Sequence, residues 1–513
     1  MKEMTEASGK YIDPFSKRVQ ELSQNLDEAT INRDIVLLEK LLKEAEEMLD
    51  NENSASQASI YYSIGTAHGD FSELAGVSGD ASIKKQLFCF RKSIRLIEMD
   101  ENADEKYRPY VLGLKLVLYT NYANILNHCG RKIAAIEQYK KAISIDKYFG
   151  MANGNLGRAY QHYGMLDYDD GHRDLFHYFA YHYLKMALKS DDPNTYSEAK
   201  AGFKAAIDQY CPEYIEKALE SDLKFPQYSY EDPEELSYRN WCLSNGLFLN
   251  TLNDLPIAEL CFAGDVIQLP TMIATGNTKP VFHGMFSQLK QEYIYARYIY
   301  YSTLRFDTEP HFADRETYIK SYTDYAQYSI RLEKLKAAFK TLYGLFDKLA
   351  FFLAHYFDMG IKEHDINFQS IWKSSAGHGS GMYQFKNTLD PVNNFALSSL
   401  YWISKDFYDK YENSPNPELK RIKDIRNALE HKYVKINDSF PEKIIEKYGD
   451  GLALYVSDEE LYEVTMTLLK ILREAIISLS LCVNIAEIPK RKAAKDKLVF
   501  PMYLLDYEDD WKT

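Results

Sequence analysis

The chain has 513 residues, 46% of them hydrophobic, with 24 Gly, 16 Pro and a formal net charge of −14. This excludes a disordered or fibrous chain, and the length allows about three domain-sized units. The acidic balance argues against broad, nonspecific coating of nucleic acid and leaves room only for a local basic site.

Met1 to Phe15 is polar and lacks the apolar core of an export signal, so a cytoplasmic location is expected. The scattered cysteines, Cys89, Cys129, Cys211, Cys242, Cys261 and Cys482, fit a reducing compartment and form neither a disulfide framework nor a zinc ribbon.

Residues 1–193 read as helical hairpins. Arg18 to Leu49 supplies a first pair or a cap at the start. A degenerate unit follows from Tyr61, Ile64, Gly65 and His68 to Phe90, Ser93 and Ile94, with Gly69 to Ser82 inserted between its helices. Then a period of 34 residues relates Asn121, Ala123, Leu126 and Gly130 to Asn155, Gly157, Tyr160 and Gly164. Small residues at Ala123, Gly157, Ala135 and Ala142 let paired helices approach, and Gly130 turns between them. With Tyr139 and Ile143 in the second helix, the segment Leu116 to Asp146 resembles a tetratricopeptide repeat. That resemblance implies a stacked solenoid whose groove takes a protein or peptide partner. Asp167 to Asp174 interrupts the last unit and delays its second helix, Phe176 to Leu188.

Residues 194–332 stay helical without the period and read as connecting helices, punctuated by prolines from Pro212 to Pro310. The polar and aromatic run Tyr238 to Asp254 is the kind of segment expected where two domains are pinned together. Tyr293, Tyr295, Tyr298, Tyr300 and Tyr301 read as core more readily than as a stacking surface.

Residues 333–513 carry four long amphipathic segments: Glu333 to Phe357, Asn393 to Tyr411, Glu418 to Val434 and Asp458 to Glu487. They predict a four-helix-type bundle and an all-α fold. Thr465 to Ile488 is the most apolar stretch, but Lys470, Arg473 and Glu474 break it, so no membrane span is expected. In the third segment Leu419, Ile422, Ile425 and Leu429 form an apolar stripe. At ~100° per residue, Arg426, Asn427, Glu430 and His431 share the adjoining face with Lys420 and Lys423.

Arg426-Asn427-x3-His431, continuing to Tyr433, has the Arg-Asn-x3-His form of the HEPN superfamily, whose members include helical-bundle ribonucleases. It is the one Arg-x4-His spacing in the chain. With Phe346-Asp347-Lys348, Leu400-Tyr401-Trp402 and the helical hairpins in front, the chain resembles a HEPN protein preceded by tetratricopeptide repeats. The resemblance implies a metal-independent endoribonuclease without cofactor, a toxin or antiviral-defence effector working as a homodimer through the bundle. Arg426, Asn427 and His431 would be catalytic and Glu430 and Asp347 supporting, with Lys420 and Lys423 on RNA. In HEPN toxins with an antitoxin partner, Tyr433 would be the modified tyrosine, although an ordinary helix tyrosine is the stronger reading in a chain with 42 of them. An Arg426–Glu430 surface ion pair is the bland reading of the same helix. A catalytically inactive adaptor that binds RNA, nucleotide or protein is the alternative function.

Three other features invite weaker readings. Gly377 to Gly381 reads as a loop between helices rather than a phosphate cradle. His172, His177 and His182 are spaced so that they do not converge on a metal. His355 reads as a core histidine.

Overall fold

The computed structural model describes residues 15–77, 79–99, 107–192, 195–210, 223–274, 279–305, 309–320, 326–372, 393–408, 417–438, 451–494, 500–501 and 505–512. The chain forms two compact units, one of residues 1–164, 174–223 and 409–417, the other of residues 165–173, 224–408 and 418–513. The architecture is all-α; the described strands form only two short two-stranded sheets. No helix among the described residues is long and apolar enough to cross a membrane.

The first unit is a succession of antiparallel helices. α1 (Lys17–Ile31) and α2 (Ile35–Met48) are capped by Ser16 and Asp34, whose side chains accept from the backbone of Val19 and Leu37. Their leucines pack with α3 (Ser54–Leu74) and α4 (Asp80–Met99) around Leu22, Leu38, Leu42, Ile60 and Ile64. Part of the segment expected as an insertion is helical instead: Gly69 to Leu74 complete α3, and Asp80 to Ser82 open α4.

α5 (Arg108–His128) and α6 (Lys132–Ile145) form the next hairpin. Gly130 has φ 80°, the left-handed conformation that turns the chain between them. Ala123, Ala135, Tyr139 and Ala142 are all buried. In α7 (Gly150–Leu166), a Cβ on Gly157 would lie 2.9 Å from the Ala180 carbonyl of α8 (Asp170–Lys189), so this small residue sets how close the helices come. Asn124 Oδ1 accepts from the Tyr139 hydroxyl at 2.7 Å and from Asn155 Nδ2 at 2.9 Å, tying consecutive hairpins together. α9 (Ser197–Tyr210) closes the described part of this unit through Phe203 and Ala206 against Leu184 and Ala187.

In the second unit, α10 (Pro233–Ser244) leads through an irregular segment to α11 (Val281–Thr303). α11 packs along α12 (Ile330–Tyr356), and α12 along α15 (Asp458–Ala493), which also contacts α13 (Phe395–Tyr408). α15 is buried continuously from Leu472 to Asn484 because it is surrounded by these helices. Arg473, inside that stretch, is hydrogen-bonded to Asp254, as burial of a charge demands. α14 (Pro417–His431) precedes β2 (Tyr433–Asn437), which pairs in parallel with β3 (Ala453–Ser457). β1 (Ile273–Ala274) pairs with β4 (Phe500–Pro501).

The run Tyr238 to Asp254 serves the second unit itself. Tyr238 packs against Trp241 and Tyr301, and its hydroxyl accepts from Arg297 at 2.8 Å. Tyr293, Tyr300 and Tyr301 of α11 are core, whereas Tyr295 and Tyr298 are exposed.

Candidate active site

Helix α14 is held by two features of its sequence. Leu419, Ile422, Ile425 and Ala428 are buried at three-residue steps. Arg421 reaches Glu460 at the start of α15 with two hydrogen bonds, 2.6 and 3.0 Å, and the Tyr455 carbonyl of β3 at 2.9 Å. The helix ends at His431, three residues before Val434, because the next residues enter the extended ladder with β3. Two details of the helix therefore differ from expectation. Leu429 is only half-buried and Ala428 takes the core position, while Tyr433 stands on a strand instead of the helix.

Arg426 is half-buried beside α12. Its guanidinium lies 5.4 Å from the centre of the Tyr343 ring and donates to Asn427 Oδ1 at 3.2 Å. Among the described residues no carboxylate lies within ion-pair distance of it, and the Arg426–Glu430 pair does not form. Tyr343 is buried and meets Phe346 and Phe407 edge-on, which fixes the face on which the guanidinium rests.

Asp347, one helical turn after Tyr343, accepts the Phe368 N–H at 3.2 Å. Burial raises its carboxyl above the ordinary aspartate range, with the Phe368 N–H and the Arg426 charge pulling the other way. Arg426, Asn427 and Asp347 are thus brought into one neighbourhood. Tyr343, which joins them, carried no sequence signal beyond its i,i+4 spacing to Asp347.

Glu430 and His431 are exposed at the end of the helix, and Lys423 is half-buried. Lys420 lies on the same helix, with its side chain outside the described set. Tyr433 is 43% exposed and faces the Lys435 ammonium, 5.4 Å from its ring centre. Tyr401 and Trp402 are buried in α13, in contact with each other and, through Tyr401, with Trp372. Lys348 pairs with Glu292, away from Arg426.

His355 is exposed against the Phe351 ring, not a core residue, because it sits on the outer face of α12. Gly377 to Gly381 lies outside the described residues. His172 hydrogen-bonds to Thr251.

The site is therefore a helix-borne cation stacked on an aromatic ring, with an amide against it and an imidazole farther along the same helix, in an all-α unit. Residues 273–486, which contain α11 to α14 and most of α15, match the family model described as LA2681-like HEPN. The match begins at Ile273, ahead of Glu333 where the sequence pattern placed the start of the bundle. No curated protein and no solved structure shows significant similarity to the chain.

Proposed function

We propose that the C-terminal unit is a metal-independent endoribonuclease, working as a homodimer in a toxin or antiviral-defence effector. The N-terminal helical hairpins, tetratricopeptide-like by their 34-residue period, bind the protein or peptide that controls it, an antitoxin being one such partner. The observation that carries this reading is the Arg426 guanidinium, held by Tyr343 and Asn427 with no carboxylate within ion-pair distance among the described residues.

A fixed cation of this kind suits a phosphate, whose oxygens accept two N–H bonds from the planar fork. In the proposed reaction the ribose 2′-oxygen attacks the adjacent phosphorus, and its proton passes to His431 as the new P–O bond forms. Arg426 balances the charge developing on the phosphorane. The bond to the 5′-oxygen then breaks, and that oxygen takes a proton from His431 of the partner subunit. The products are a 2′,3′-cyclic phosphate and a 5′-hydroxyl. A two-fold axis beside α14 supplies the second imidazole that one chain lacks. Lys423 and Lys420 hold neighbouring phosphates, and Asp347 and Glu430 tune the charge at the site.

The test incubates the full-length protein with RNA in the presence of EDTA and reads the fragment ends. Cleavage giving cyclic phosphates, reduced at least about a hundredfold in Arg426→Ala and in His431→Ala, is the expected result. Cleavage unchanged in both variants removes the assignment, and RNA association without cleavage favours the adaptor. Light scattering on the same sample tests the dimer, and a strict monomer at micromolar concentration eliminates the two-histidine cleft.

A further inference from the structure

The irregular segment between α10 and α11 is fixed by two buried guanidiniums. Arg297 of α11 grips Asp265 at 2.8 and 2.7 Å, and Arg473 of α15 grips Asp254 at 2.7 and 3.2 Å while donating to the Phe248 and Asn250 carbonyls. Asn250 and Asn253 both donate to the Phe262 carbonyl, closing the segment on itself. A segment of short turns held this firmly is a preorganised wall.

Against this wall opens a cavity of about 400 Å³, within the range of small-molecule sites. Its polar end is formed by Asp167, His172 and Thr251, and its apolar side by Leu252, Phe262 and Ile267. The Asp167 side chain is only 3% exposed. It accepts the Asp169 N–H at 3.0 Å and the Thr251 hydroxyl at 2.8 Å, and His172 Nδ1 lies 3.6 Å away. Among the described residues, no Lys or Arg lines the cavity or pairs with Asp167. Because the Thr251 hydrogen is given to Asp167, its oxygen accepts from His172 Nδ1 at 2.8 Å.

The described partners of this buried carboxylate are an N–H, a hydroxyl and an imidazole, so a full positive charge at this end of the cavity would add to its compensation. We infer that this cavity binds a small organic ammonium compound, its amine at Asp167 and His172 and its hydrocarbon body against Phe262 and Ile267. A phosphate-bearing ligand is disfavoured, since the described lining holds two carboxylates, Asp167 and Asp169, and neither Lys nor Arg.

The test is calorimetric titration of the full-length protein with tryptamine, phenethylamine and spermidine, using indole-3-propionate as the charge-reversed control. Cys261, half-buried in the lining, gives a local readout through its rate of alkylation by N-ethylmaleimide. Saturable binding of at least one amine is expected, with slower Cys261 alkylation, no binding of the acid, and an affinity loss of at least about tenfold in Asp167→Asn. Val266→Trp, placed at a rim residue that is 52% exposed, narrows the cavity without touching the carboxylate and is expected to abolish binding. The inference is overturned if none of the three amines binds saturably, or if the acid binds equally well. It is also overturned if Asp167→Asn keeps full affinity, or, should that variant not fold, if Val266→Trp keeps it.

Discussion

Arg473 and Asp254 lie 219 positions apart in sequence, yet the guanidinium of one meets both carboxylate oxygens of the other in the buried centre of the second unit. The Asp254 side chain is 7% exposed and that of Arg473 2%. The same guanidinium also satisfies two backbone carbonyls, so four hydrogen bonds converge on one buried cation. Removing one partner leaves the other charged and without water. Arg473→Met is therefore expected to destabilise the protein by about 3–5 kcal/mol, measured by urea unfolding. A loss below about 1 kcal/mol would mean that the pair is not formed.

Tyr343 is expected to act on the proposed reaction only through Arg426. Tyr343→Phe keeps the ring beneath the guanidinium and should cleave RNA at close to the wild-type rate. Tyr343→Leu removes an interaction of about 0.5–2 kcal/mol and should slow cleavage by about 2- to 30-fold. Equal rates for the Leu and Phe variants, both folded by circular dichroism, would exclude the platform.

Glu487 gives a pH signature. Burial alone raises its carboxyl, but Lys490, the Tyr356 hydroxyl and the Ile273 N–H together bring it below the ordinary glutamate range. Those partners lie at 2.5, 2.6 and 3.1 Å. A depressed folded-state value means stability that is present above the unfolded value near 4.5 and lost as pH falls through the folded one. Glu487→Gln should thus be less stable than wild type at pH 7, with the gap shrinking below about pH 4. Unfolding midpoints taken from pH 3 to 7 check this, and a gap independent of pH would contradict it.

Gly157 tests the packing of the first unit. A methyl group there would lie 2.8 Å from Leu184 Cγ and 2.9 Å from the Ala180 carbonyl oxygen, closer than van der Waals contact. Gly157→Ala should therefore destabilise this unit by about 1–3 kcal/mol, in spite of the better helix propensity of alanine. An increase in thermal stability would show that α7 and α8 can separate without loss.

Local patterns determined much of this protein. The spacing of Leu419, Ile422 and Ile425 defined the buried face of α14, Gly130 marked a turn, and Arg426, Asn427 and His431 were legible because they share one helix. Side chains within five residues on a helix are related by its geometry alone. The tertiary structure decided the rest: Tyr343 beneath Arg426, the stop of α14 at His431, the exposure of His355, and the meeting of Asp167, His172 and Thr251 at one cavity. The parallel pairing of β2 with β3 is of the same kind, since a strand of five residues gains its ladder only from a partner elsewhere in the chain. Which distant groups become neighbours depends on how helices pack and which buried charges find compensation, and no spacing within a single segment encodes that choice.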